Sequence, residues 1–301
     1  RKEVLQRLTA AFCKSQADQN IIYTEVRYAP HLLCKEGSTL PDPETVVQVV
    51  TEEISAALKA RPKYHLNQIL CCVNLSPEWS EEVCQLGQKY HGQHGGVVGI
   101  DIACGEDHFS DDKTFQVHRA ALKKAKSSGL GLTVHAGENG AGENVVLAAF
   151  EYQADRIGHG YHILEQTDSL PKFKPEAGGL HAPVHFEVCP SSSIASGSVP
   201  NPHTTGWDDP DHPLRRLISE DGLSVSISTD DPTIFSCTLA SELTLVVEKL
   251  GVTKEQIWAM MSNAVNFSWA ASSHKQDMEI QLLEYFEALL ADAGKVEAPD
   301  A

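Results

Sequence analysis

The sequence predicts an α/β protein, a (β/α)8 (TIM) barrel that lacks its first strand. Three observations carry this. Seven short runs rich in Val and Ile recur along the chain, near-continuously apolar as parallel strands buried on both faces are. Segments of helical period separate them, so strand starts repeat at intervals of about 25 to 47 residues. The chain also opens inside a helical pattern with no strand before it. Such a barrel closes at eight strands, so an eighth is expected upstream of Arg1, and the chain is read as N-terminally incomplete.

In chain order, the helical opening RKEVLQRLTAAFCKSQ precedes the first run, NIIYTEVRYAP (20–30). Asp42-Pro43-Glu44 marks the start of a helix running to Ala60, with a capping side chain and a proline in its first turn. NQILCCVN (67–74) and GVVGIDIACGED (96–107) are the next strands, and DDKTFQVHRAALKKAKSSG is a helix closed by a glycine. GLGLTVHAGE (129–138), ADRIGHGYH (154–162), PVHFEVCPSSS (183–193) and GLSVSISTDDP (222–232) complete the strands. Three further amphipathic segments follow, and the tail KVEAPDA (295–301) is expected to be frayed. No linker-like change in composition divides the chain, so 1–301 is read as one domain. The Ser-, Pro- and Gly-rich stretch 191–213 lies between strand and helix, the place of a long active-site loop. An open doubly wound sheet is the competing architecture, but no GxGxxG follows any strand.

The chain has 41 acidic against 24 basic residues, a formal charge of −17, which disfavours nucleic acid and anionic membrane as partners. No apolar run reaches the length of a membrane span. Eight scattered cysteines without a CxxC fit reduced thiols, hence a cytoplasmic location, with secretion left open. His91 and His94 precede a strand and read as a polar loop.

In a parallel barrel the strand ends converge on one mouth, where chemistry is done. Reading the ends in order gives Glu25 and Arg27, then Asp101 with Gly105 and Glu106, then His135 and Glu138. His159 and His162 follow, then Glu187 with Cys189, and Asp230 with Asp231. Each pair alone has a plainer reading. A single strand-end His is commonly structural, and Asp230-Asp231-Pro232 also reads as a helix cap. Together on one rim they make a metal and acid/base site.

TVHAGE, RIGHGYHILE, HFEVCPSSS and SISTDDPTIF, with TEVRYAPHLL and GIDIACGED, closely resemble the adenosine deaminase family of the metal-dependent amidohydrolase superfamily. The resemblance runs from near Ile21 to about Ala270. It implies zinc-dependent hydrolytic deamination of adenosine and 2′-deoxyadenosine to inosine, a step of purine metabolism, with a small purine nucleoside as the partner. It implies that His135 and Asp230 are metal ligands, one Zn2+ per site. Glu138 becomes the acid that serves purine N1, and His159 the group that orients and deprotonates water. Asp231 becomes the partner of N7, and a backbone amide near Gly105 that of N3. This chain has Cys104-Gly105 where the pattern has Ala-Gly. The family's first-strand His-x-His is missing: none of the 14 histidines is followed by another two residues later. Two further His ligands are therefore expected upstream of Arg1, and little or no activity from these 301 residues alone. The rival readings are an AMP or adenine deaminase on the same scaffold, and a non-catalytic truncated barrel.

Overall fold

Seven parallel strands form one sheet in the computed structural model: β1 (Tyr23–Tyr28), β2 (His65–Val73), β3 (Val97–Ala103), β4 (Gly131–Ala136), β5 (Arg156–His159), β6 (His185–Val188) and β7 (Ser224–Ile227). The structure describes residues 1–293 apart from 108, 110, 175–182 and 221. The expected frayed tail at 295–301 lies outside the described residues. Six of the strands fall inside their apolar runs, and β2 begins two residues before its run of 67–74. Their order in space is their order in sequence, β1 to β7. A doubly wound sheet reverses its strand order partway, so that architecture is excluded.

The sheet is curled. Arg27 on β1 reaches Glu187 on β6 at 2.8 Å, and Glu25 on β1 reaches Arg156 on β5 at 2.6 Å. Side chains four and five strands apart cannot touch across a flat sheet whose neighbours lie about 4.8 Å apart. Among the described residues, β1 pairs only with β2 and β7 only with β6, one strand short of the eight at which such a barrel closes.

Along β4, Leu132 and Val134 are buried in the main apolar cluster while Thr133 and His135 contact carboxylates inside the curl. This two-residue alternation lets one strand serve two environments. Helices cover the outer face. Asp42 caps the helix Pro43–Ala60 by accepting from Thr45 N at 2.7 Å, and Val46, Val50 and Ile54 of that helix are buried. Gly251, in a left-handed conformation at φ 69°, ends the helix Leu239–Leu250. Trp269 seals the floor: its indole lies against Gly99 and Gly131, paired residues near the starts of β3 and β4, where any Cβ would overlap the ring. The Arg156 guanidinium stacks over it, 3.5 Å from the ring centroid. Among the described residues, no helix is long and apolar enough to cross a membrane.

Candidate active site

The mouth is built where β4, β5, β6 and β7 run out. His135 is the fifth residue of β4, and Glu138 follows two residues beyond its end. His159 is the last residue of β5, Cys189 follows β6, and Asp230 and Asp231 follow β7. The His135 and His159 ring centroids are 5.2 Å apart. His159 Nε2 stands 3.7 Å from Glu138 Oε2 and 3.8 Å from Asp230 Oδ2, too long for hydrogen bonds. Among the described residues His159 Nδ1 is also buried without a hydrogen-bond partner. A buried imidazole with neither nitrogen bonded is the arrangement of a group that takes its partner from outside the chain. His159 and Asp230 both hold left-handed backbone, at φ 65° and 55°, a conformation that collects at functional sites when the residue is not glycine.

Of the residues singled out in the sequence, His135, Glu138, His159 and Asp230 come together. Asp231 starts the short helix Pro232–Phe235, yet its side chain makes no capping bond, so capping does not account for it. Gly105 lies on the loop after β3, and its carbonyl accepts from Asn74 Nδ2 at 2.7 Å. His162 pairs with Glu165, while His91 and His94 bond Val97 O and Ser55 near the strand starts. Glu25 differs from the expectation of a rim residue. It is the third residue of a six-residue strand, and Arg156 and the Trp269 amide hold it at the floor.

Asp101, Arg27 and Glu187, read in the sequence as strand-end residues, take supporting roles that the sequence did not assign. Asp101 is fully buried and accepts from His135 Nδ1 at about 3 Å, which fixes that tautomer and leaves Nε2 facing the mouth. Arg27 spans Asp101 (3.0 Å) and Glu187 (2.8 Å), and Glu187 meets Arg156 as well (3.0 Å). The stretch after β6, expected as a loop at 191–213, opens with the helix Pro190–Ser196. It still serves the mouth: Ser192 Oγ donates to Asp230 Oδ2 at 2.6 Å, and Ser198 Oγ lies 3.3 Å from Glu138 Oε1.

Ionisation follows from these surroundings. Burial raises the Glu138 carboxyl above its ordinary pKa, against the pull of His135 and with the push of Asp230. Burial, then His135, lower His159 to about 4, so its imidazole is neutral. Burial opposes charge on His135, but Asp101 outweighs it and holds that pKa at about 9. Burial and the neighbouring Asp230 raise Asp231. Burial would also raise Glu187, yet Arg27 and Arg156 hold it well below the usual range.

Among the described residues, His159, Cys189 and Asp230 offer donor atoms within 4.8 Å of one another. His135 adjoins this group with Nε2 not engaged by Asp101. Imidazole, carboxylate and sulfur are the donors zinc takes, so the residues present fit such an ion. Burial keeps the Cys189 thiol protonated and so a poor donor beside the imidazoles and the carboxylate.

The adenosine deaminase family model matches residues 1–285. An adenosine deaminase of Xenopus tropicalis is 34% identical over 301 residues, covering 96% of this chain and 78% of that protein. That of Danio rerio is 33% identical over 296 residues, with 95% and 77% covered. A crystal structure of an amidohydrolase from Burkhoderia ambifaria with bound Zn superposes with a TM-score of 0.81 at 22% identity, covering 99% of this chain and 76% of that one. With the strand-end acids and imidazoles in one mouth, these matches make the chain a member of the adenosine deaminase family, hydrolases that act on C–N bonds.

Proposed function

We propose that this chain is one catalytic barrel domain that deaminates adenosine and 2′-deoxyadenosine by hydrolysis, giving the inosine product and ammonia. The observation that carries the reading is the placement of His159 Nε2 between Glu138 and Asp230, 3.7 and 3.8 Å away. A base, an acid and a metal-binding carboxylate thereby face one small volume.

His135 and Asp230 would hold zinc, whose Lewis acidity brings the pKa of water down to about 7. His159, kept neutral by burial, is free to take a proton from the attacking water. Attack at C6 puts negative charge on the purine, and a proton delivered at N1 relieves it. Glu138 is placed to deliver one, and burial raises its carboxyl pKa, which favours the protonated form over that of an exposed Glu. Asp231, raised the same way, can donate to N7. The amide near Gly105 meets N3. Two ligands are few for a catalytic zinc, so the 301 residues by themselves bind it weakly and turn over slowly. Eight free thiols suit a reducing compartment, and we place the reaction in cytoplasmic purine metabolism.

The test is a substrate panel of adenosine, 2′-deoxyadenosine, AMP and adenine with added Zn2+, following ammonia release. The two nucleosides are expected to react fastest. AMP or adenine reacting faster than adenosine would assign the site to another base class and remove the reading, and turnover of adenosine at an ordinary enzymatic rate would show that two ligands suffice.

A further inference from the structure

Glu106 lies on the loop after β3, half-buried, and is outside the chemistry just described. Its carboxylate nevertheless collects five donors. Oε2 accepts from Gly137 N and Asn144 Nδ2, both at 2.8 Å. Oε1 accepts from Glu138 N at 2.8 Å and from Asn139 N and Gly140 N at 3.1 Å. Four consecutive amides of the β4–helix turn thus point at one carboxylate, with the helix Gly142–Phe150 following directly. Those amides would otherwise be unpaired at a strand end, and a charged acceptor makes the stronger sort of hydrogen bond.

The clamp is itself held. Asn74 Nδ2 donates to Gly105 O at 2.7 Å and to Asp107 O at 3.2 Å, fixing the peptide on both sides of Glu106. Gly140 is needed for the fit: a Cβ there would overlap Glu106 Oε2. The clamped residue in the middle is Glu138, whose side-chain Oε1 lies 3.3 Å from Ser198 Oγ and whose Oε2 faces His159. Its backbone is gripped from one side and its carboxyl from the other.

We infer that Glu106 is a positioning residue that aims Glu138 at the substrate by gripping the main chain of residues 137–140. The inference rests on the reading of Glu138 as the acid that serves the purine ring. Proton delivery depends on placement, and a displacement of about 1 Å can cost about a hundredfold in rate. Glu106→Gln keeps size and shape but replaces one acceptor oxygen by a donor that faces amide N–H groups. Gly140→Ala disturbs the same grip from the opposite side.

The experiment has two arms on the 301-residue chain. Amide hydrogen exchange of peptides covering 137–140 is expected to speed up by about tenfold or more in both variants, with zinc content unchanged. Single-turnover deamination, with protein in excess over adenosine so that slow rates are measurable, is expected to slow by about a hundredfold in Glu106→Gln with little change in half-saturation. The same substitution placed on Glu138→Gln is expected to cost no more than Glu138→Gln alone. Unchanged exchange would show that Glu106 holds nothing, whatever the activity. Loosened exchange with an equal further loss on Glu138→Gln would make the role merely structural. Full activity of Glu138→Gln would overturn the acid reading and the positioning role with it, and the exchange arm shows separately whether the clamp exists.

Discussion

Arg27 Nη1 and Nη2 donate to Asp101 Oδ2 and Glu187 Oε2, joining two carboxylates that stand 86 positions apart in the sequence. From Glu187 the chain of charge continues through Arg156 to Glu25, and from Asp101 it passes to His135. The centre of the barrel is therefore an ion-paired column, apolar packing being reserved for the space between sheet and helices. At its lower end the column meets Trp269, and at its upper end an imidazole of the mouth.

Removing Arg27 takes from Asp101 and Glu187 the cation they share, leaving Asp101 with His135 and Glu187 with Arg156. Arg27→Met is expected to lower unfolding free energy by about 3 kcal/mol or more, and Arg27→Lys to recover only part of it, because a point charge cannot bridge both acids. Urea unfolding at neutral pH measures this. Wild-type stability in Arg27→Met would show the column to be idle.

His135→Ala is expected to abolish most zinc uptake. Asp101→Asn, which trades one of the two acceptor oxygens facing His135 and Arg27 for a donor and removes the charge, is expected to weaken zinc by about ten- to a hundredfold. Competition against a chromogenic chelator reads both. Equal affinity across wild type and His135→Ala would move the ligand role to the His159, Cys189 and Asp230 group.

Glu138→Gln keeps the side chain's shape and removes the transferable proton. Turnover is expected to fall by about 10²- to 10⁴-fold with metal content intact. Loss of zinc in that variant would make Glu138 a ligand.

His185 lies between the hydroxyls of Ser224 and Ser226, with its ring stacked on Phe267. Burial, helped by Arg156 and opposed by Glu187, pushes its pKa down to about 3. An unfolded His titrates near about 6.5. The folded value is the lower, so the unfolded chain takes the proton first as pH falls. The His185 contribution is therefore full above about pH 6.5 and declines steadily toward pH 3. In His185→Gln the slope of stability against pH between about 6 and 4 is expected to be shallower by about 1.4 kcal/mol per unit. Equal slopes would mean that His185 is already charged in the fold.

The strands were legible because Val- and Ile-rich runs buried on both faces leave a plain trace, and the sequential order follows from repeated strand–helix units. Asp42 marked a helix start by local chemistry, which needs no knowledge of the fold. His135, Glu138, His159 and Asp230 stood out because they sit at the tips of three strands. Glu25 was misplaced on the rim for the converse reason. A charge inside a strand looks like a strand end until its partner is known, and Arg156 lies 131 residues from Glu25. The grip of Glu106 on 137–140 was equally hidden, since its donors are main-chain amides, which no side-chain pattern records.

The left-handed main chain at His159 and Asp230 has a practical corollary for mutagenesis. Asn and Gly favour that contour, whereas Ala holds it less readily and branched residues least of all. Asp230→Asn thus deletes charge while keeping the peptide geometry, and any deficit it shows is electrostatic. Asp230→Ala and, more so, Asp230→Val add a backbone-preference cost to the lost donor, so such scanning of this rim overstates the importance of two side chains whose backbones are already unusual.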